Sequence, residues 1–226
     1  MIIGGLNKLT LLDFPSKVAC IIFTSGCNCR CPFCQNSPLL LDNTLTIDKE
    51  ELFKYLKKRK GVLDGVVISG GEPLIHTDIK EFIKEIRDLG YSIKLDTNGT
   101  FPLKLKELID DNLIDYVAMD IKNSDIKYSK TVGLNKFNID NIKQSINILK
   151  NSNIKYEFRT TIVKELHTID DIKEILRYIG KDELYYIQNF VDSGNILKQG
   201  LHGFSKEELE NMEGLLKVDY PNVSIR

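Results

Sequence analysis

Stretches whose apolar residues recur at every second position alternate, along almost the whole chain, with stretches in which they recur every 3.6 positions, and this alternation confines the fold to βα units around a parallel sheet. Strands are predicted at 17–24, 65–69, 92–96, 116–120, 156–163 and 184–190, and helices at 47–60, 77–89, 102–111, 139–151, 168–179 and 205–216. Thr77 or Asp78 can cap one helix, Gly90 ends it, and Thr168 can cap another ahead of Asp170 and Asp171. No linker or low-complexity segment interrupts the series, so a single domain over 1–226 is expected, with 184–226 completing it. Six βα units are too few to close an eight-stranded barrel. The expected fold is therefore α/β, an open, partial TIM-type (β/α)6 barrel with function at the C-terminal ends of its strands. A doubly wound open sheet is the alternative, and periodicity does not separate the two.

Composition excludes several function classes. Lys plus Arg (31) nearly balance Asp plus Glu (32) over 226 residues, so no global attraction to nucleic acid or an anionic membrane is expected. The longest apolar runs, such as 18–23, fall far short of the ~20 residues of a membrane helix. Met1-Ile2-Ile3-Gly4-Gly5 lacks a basic signal-peptide start, and a cytoplasmic location is expected. All five cysteines lie between Cys20 and Cys34, which favours metal over a disulfide framework.

Cys27-Asn28-Cys29-Arg30-Cys31-Pro32-Phe33-Cys34 follows the first predicted strand, with Gly26 giving the chain a flexible exit into a cluster loop at 26–35. Thiolates on an irregular loop can hold an Fe–S cluster, with backbone N–H groups stabilising its negative charge. The favoured triad is Cys27-x3-Cys31-x2-Cys34, because three thiolates leave one iron of a cubane open to a small ligand. A closed zinc site stays open as an alternative, with Cys29 as a cramped fourth ligand. Cys20, inside a strand, reads as a small buried apolar residue.

Two further stretches end strands with chemistry-bearing residues. Ser69-Gly70-Gly71-Glu72-Pro73 is a Gly-Gly turn carrying an acid, which on its own is an ordinary βα turn. Asp96 in Lys94-Leu95-Asp96-Thr97-Asn98-Gly99 and Asp120 ahead of Lys122 each sit at a strand's C-terminal end. Either carboxylate alone reads as a turn or cap residue; together they offer a place for a cation, and Lys122 can neutralise a ligand carboxylate. His76 and His167 flank these loops and receive no role.

Cys-x3-Cys-x2-Cys with Phe33 before the last cysteine resembles the signature of the radical S-adenosylmethionine (radical SAM) superfamily, and Gly70-Gly71-Glu72-Pro73 some 36 residues later resembles its Gly-Gly-Glu-Pro motif. With 96–99, 120–122, 156–163 and 186–190 the resemblance spans nearly the whole chain and is to glycyl-radical-enzyme activating proteins, in particular those of anaerobic ribonucleotide reductase. The opening 5–15 is also similar to that group, whose members read Asp-Tyr/Phe-Pro-Gly-Lys where this chain has Ser16 in place of the glycine.

The resemblance implies one [4Fe-4S] cluster on Cys27, Cys31 and Cys34, with Cys29 a bystander, and S-adenosylmethionine as cofactor. It implies Phe33 near the adenine; Gly70, Gly71 and Glu72 at the methionine ammonium; and Asp96, Asp120 and Lys122 near its carboxylate, with a monovalent cation at the two acids. It places Arg159 in the site and implies a glycyl radical enzyme as protein substrate and a flavodoxin- or ferredoxin-type electron donor. One departure bears on substrate: activases often read Val-Pro-Gly after the fifth strand, and this chain reads Val163-Lys164-Glu165. The rival readings are a radical SAM enzyme acting on a small molecule and a zinc-stabilised, non-enzymatic interaction module.

Overall fold

The computed structural model describes residues 1–40 and 46–226. Among these, a single sheet of eight strands runs in chain order: β1 (Ile3–Thr10), β2 (Ala19–Thr24), β3 (Gly65–Gly70), β4 (Ser92–Thr97), β5 (Tyr116–Asp120), β6 (Lys155–Ile162), β7 (Tyr185–Asn189) and β8 (Val223–Ile225). Strands β2 to β8 are parallel, and β1 lies antiparallel on the outer edge of β2. The helices are α1 (Lys49–Arg59), α2 (Ile79–Asp88), α3 (Pro102–Asp110), α4 (Asp125–Thr131), α5 (Ile139–Lys150), α6 (Ile169–Ile179) and α7 (Lys206–Lys217).

Strand order decides between the two expected topologies. A doubly wound sheet reverses direction partway, whereas here each parallel strand is laid beside the one before it without a reversal, as in a barrel. The ends β1 and β8 are not paired with each other, so the barrel stays open. All six predicted strands and all six predicted helices are present. The predictions lacked β1, β8 and α4.

The central strands carry continuous apolar runs because both their faces are covered: Val66, Val67 and Ile68 of β3 are fully buried. The outer helices show one apolar stripe each. Ile79, Phe82, Ile83 and Ile86 of α2, and Ile172, Ile175, Leu176 and Ile179 of α6, recur at the spacing that lines one helix face. Thr168 caps α6 in a reciprocal box with Asp171. Asp78 stands at the N-cap position of α2 but makes no cap hydrogen bond, because its carboxylate pairs with the Met1 ammonium.

In-register pairing places the C-terminal ends of β2 to β6 side by side: Thr24 lies opposite Gly70, Asp96 opposite Ala118, and Asp120 opposite Arg159. Residues far apart in the sequence thereby meet at one mouth. Among the described residues no helix is long and apolar enough to cross a membrane.

Candidate active site

The cysteine loop leaves β2 at Gly26, whose φ is +89°. It is tied down from three directions. Arg30 N–H donates to the Val132 carbonyl (2.8 Å) beyond α4, and the Lys198 N–H donates to the Pro32 carbonyl (3.0 Å). The side chains of Gln35 and Asn36 reach the carbonyls of Val191 (2.7 Å) and Gly70 (3.0 Å). Cys27 and Cys34 are partly exposed at the mouth, while Cys29 and Cys31 are buried.

The neighbouring Cys29 pulls the Cys27 thiol down to about 6 and lowers that of Cys31, while Cys29 itself is raised. Cys34 stands apart, its thiol pushed up by burial. Cys20 is pushed up to about 12 by burial in the sheet, as befits an inert apolar position. Among the described residues no three His, Cys, Asp or Glu side chains converge on one point as a single metal ion requires, whereas a cubane distributes its thiolates over separate irons.

The Gly-Gly turn is pressed against the root of this loop. A Cβ on Gly71 would lie 1.9 Å from the Gly26 carbonyl oxygen, and one on Gly70, at φ +109°, 2.5 Å from the Thr24 nitrogen. Only glycine permits this approach. The N–H groups of Gly71 and Glu72 donate to the carbonyls of Thr24 and Gly26, both at 2.9 Å. Glu72, expected at the cofactor ammonium, has no exposed surface, and its carboxylate is engaged within the protein. Its two oxygens accept from Thr97 Oγ1 (2.7 Å), Asn98 N–H (2.6 Å) and Leu74 N–H (3.1 Å). Burial pushes its carboxyl up to about 8 against those three donors. Glu72 thus locks the end of β3 to the end of β4.

The barrel interior at the mouth is a charged lattice. Arg159 Nε donates to Asp120 Oδ1 (2.9 Å), and its Nη2 lies 3.5 Å from Asp96 Oδ2. Lys122 reaches Asp120 at 3.1 Å, Ser69 donates to Asp96 at 3.1 Å, and Lys94 pairs with Asp96. Burial alone would raise Asp120, but the Arg159 and Lys122 charges outweigh it and hold the carboxyl at about 2. Burial likewise opposes the charges of Lys122 and Arg159, and Asp120 more than restores them.

The two acids expected to share a monovalent cation therefore have Lys94, Lys122 and Arg159 as their partners. With Glu157 buried beside Arg159 as well, three carboxylates face these three cations. Phe33 is buried, its ring meeting His167 edge-on at 6.3 Å. His167 is buried too: its Nδ1 accepts from Val163 N–H (3.0 Å), so its Nε2 donates to the Lys122 carbonyl (2.8 Å) and steadies that loop.

Lys94, Asn98 and Glu157 join the site or its floor although the sequence reading passed them over. Lys94 and Asp96, like Glu157 and Arg159, are charged pairs of opposite sign two apart within a strand. That spacing puts both members on one face, and it is the signal that marks them. A groove of 1110 Å³ at the opposite end of the barrel, near Phe14, Asp115 and Lys155, holds none of these residues. The site is defined by chemistry rather than by volume.

The sequence profile of the radical SAM superfamily matches residues 21–179, more than half of the chain. The chain belongs to that superfamily. It is 35% identical to a protein of Methanocaldococcus jannaschii provisionally named a glycyl-radical enzyme activating enzyme, over 84% of this chain and 80% of that one. It is 28% identical to a protein of Pyrococcus abyssi provisionally named GTP 3′,8-cyclase, over 89% of this chain but 61% of that longer one. A radical SAM methyltransferase from Sphaerobacter thermophilus superposes with a TM-score of 0.75 at 16% identity, over 96% of this chain and 68% of that one, which shows the shared fold.

Membership makes the protein a radical SAM enzyme and sets aside a zinc-stabilised module. The superfamily's cofactors are a [4Fe-4S] cluster and S-adenosylmethionine. Three spaced thiols, of which Cys27 and Cys34 are partly exposed and Cys31 is buried, stand beside the paired cations Lys122 and Arg159, and the residues present fit both cofactors. When bound, they supply one-electron reductive cleavage of a C–S bond to a 5′-deoxyadenosyl radical.

Proposed function

We propose that this protein is an activase: with one [4Fe-4S] cluster on Cys27, Cys31 and Cys34, it cleaves S-adenosylmethionine and removes a Cα hydrogen from a glycine of a partner glycyl radical enzyme of the anaerobic ribonucleotide reductase kind. The observation that carries this reading is the 35% identity to an activating-enzyme relative over most of both chains. Lys122 and Arg159, held charged by Asp120, receive the cofactor carboxylate, with Asp96 fixing Arg159 from the other side. The Gly70–Gly71 turn presents backbone carbonyls to the ammonium, and Phe33 packs beside the adenine. A flavodoxin- or ferredoxin-type protein supplies the electron, and the setting is the cytoplasm of an anaerobic cell. The open barrel gives a glycine-bearing loop a way in that a closed barrel would deny.

The test is anaerobic turnover with a reductant, S-adenosylmethionine and a glycyl radical enzyme from the same organism carrying Cα-deuterated glycine. Deuterium should appear in 5′-deoxyadenosine and a protein-centred doublet in the electron paramagnetic resonance spectrum. The similarity to the cyclase-named protein favours a second reading, a small-molecule substrate. Turnover stimulated by a purine nucleotide and by no glycyl enzyme would establish it and end the activase reading.

A further inference from the structure

We propose that Asn98 is a positioning residue of the cluster: its side-chain amide donates an N–H to the Cys27 thiolate and thereby raises the potential at which the cluster accepts an electron. Asn98 follows β4 and is 8% exposed, so its polar groups must find partners in the protein. Its orientation is fixed by a donor that cannot act as an acceptor. The Thr100 N–H donates to Asn98 Oδ1 at 3.0 Å, and the Thr100 hydroxyl donates to the same oxygen at 2.6 Å. Flipping the carboxamide would set N–H against N–H, so the amino end faces the cysteine loop.

There Asn98 Nδ2 donates to Asn28 Oδ1 at 3.0 Å and lies 3.7 Å from Cys29 Sγ and 3.9 Å from Cys27 Sγ. Asn28 in turn donates to the Thr100 hydroxyl at 2.9 Å, closing a ring of hydrogen bonds between the loop and the end of β4. The backbone is held from behind, where Asn98 N–H meets Glu72 Oε2 at 2.6 Å. The amide is thus braced on both sides, with its second N–H shared between the sulfurs of Cys29 and Cys27. The Cys29 N–H, 3.4 Å from Cys27 Sγ, is the only other amide donor that Cys27 receives among the described residues.

N–H donors to a cluster thiolate withdraw electron density and favour the more negative, reduced state, most strongly where water is excluded. A residue that merely shaped the loop would alter cluster loading and leave the potential of the loaded cluster where it was.

The inference rests on the cluster assignment to Cys27, Cys31 and Cys34, and the experiment separates the two: a wild-type chain that takes up no iron sinks the assignment itself. In anaerobically reconstituted protein, Asn98→Asp keeps the shape and removes the donor. At a fixed poised potential the ratio of reduced to oxidised cluster should fall about tenfold, equivalent to about 59 mV for one electron. Asn98→Ala should shift it in the same direction by a smaller amount. Iron and sulfide near wild-type content with an unmoved ratio in both variants would overturn the proposal. Should neither variant load, pulsed electron paramagnetic resonance of the reduced wild type, with ¹⁵N confined to asparagine side chains, decides the matter: coupling to a side-chain nitrogen supports the donor role, and its absence overturns it.

Discussion

Ser16 shows how a single dihedral records a departure from relatives. Its φ is +60°, in the left-handed region that costs a residue with a Cβ about 1–2 kcal/mol. The position where similar activases have glycine is thus one where glycine fits the backbone. Ser16→Gly should raise stability by up to about 1 kcal/mol after the added freedom of the unfolded glycine is counted, read as a higher urea midpoint at unchanged slope. The cysteines make a sharper case. Cys27→Ala, Cys31→Ala and Cys34→Ala should each abolish uptake of about four iron and four sulfide per chain. Cys29→Ala should retain them, even though the Cys29 N–H lies 3.4 Å from Cys27 Sγ. Iron lost only in the Cys29 variant would reassign the ligands.

Among the elements, α6 offers the cleanest pH test. Asp171 closes the Thr168 capping box and pairs with Lys127 at 2.5 Å. Burial would raise its carboxyl, but Lys127, Thr168 and Ser124 outweigh it and hold it at about 2, against 3.8 for an ordinary aspartate. A carboxyl depressed on folding stabilises above its unfolded value and loses that contribution as pH falls toward its folded value. Urea unfolding should therefore show the wild type losing stability between pH 5 and pH 2, with Asp171→Asn weaker at pH 6 and flatter across that interval; parallel curves would refute it. The elements also show where sequence patterning stops being informative. Helix α6 was legible from Thr168 to Ile179 because cap and apolar stripe agree. Strand β1 was not: Gly4, Gly5, Asn7 and Lys8 give no alternation, and an antiparallel edge strand is held by backbone bonds rather than by a buried face. Strand β8 and helix α4, at 3 and 7 residues, are too short to display a period. The cysteines and strand-end acids stood out as residue types in order, and Lys94 could have been marked by its spacing from Asp96, whereas Asn98 acquires meaning only from the cysteine loop folded against it.

At the scale of the whole molecule, the charged lattice joins three strands. Arg159 on β6 holds Asp120 of β5 and Asp96 of β4, so its loss leaves two partly buried carboxylates short of a partner. Arg159→Met should cost about 3 kcal/mol of stability. It should weaken S-adenosylmethionine binding at least tenfold while leaving iron content unchanged, because the cysteine loop is anchored elsewhere. Equilibrium dialysis and iron analysis on the same sample check both halves, and unchanged affinity would remove Arg159 from the cofactor pocket.

The tethers of that cysteine loop also set a schedule. The thiols emerge from the ribosome with Cys27 to Cys34, but of the anchors only Gly70 follows soon after; the carbonyl that fixes Arg30 belongs to Val132, and Val191 and Lys198 come later still. At the usual pace of about 5–20 residues per second, the thiols wait roughly 10–30 s without their final supports. A nascent chain made in air meets oxygen during that interval with its thiols unshielded by the barrel, so the synthesis step is one at which these thiols are open to oxidation.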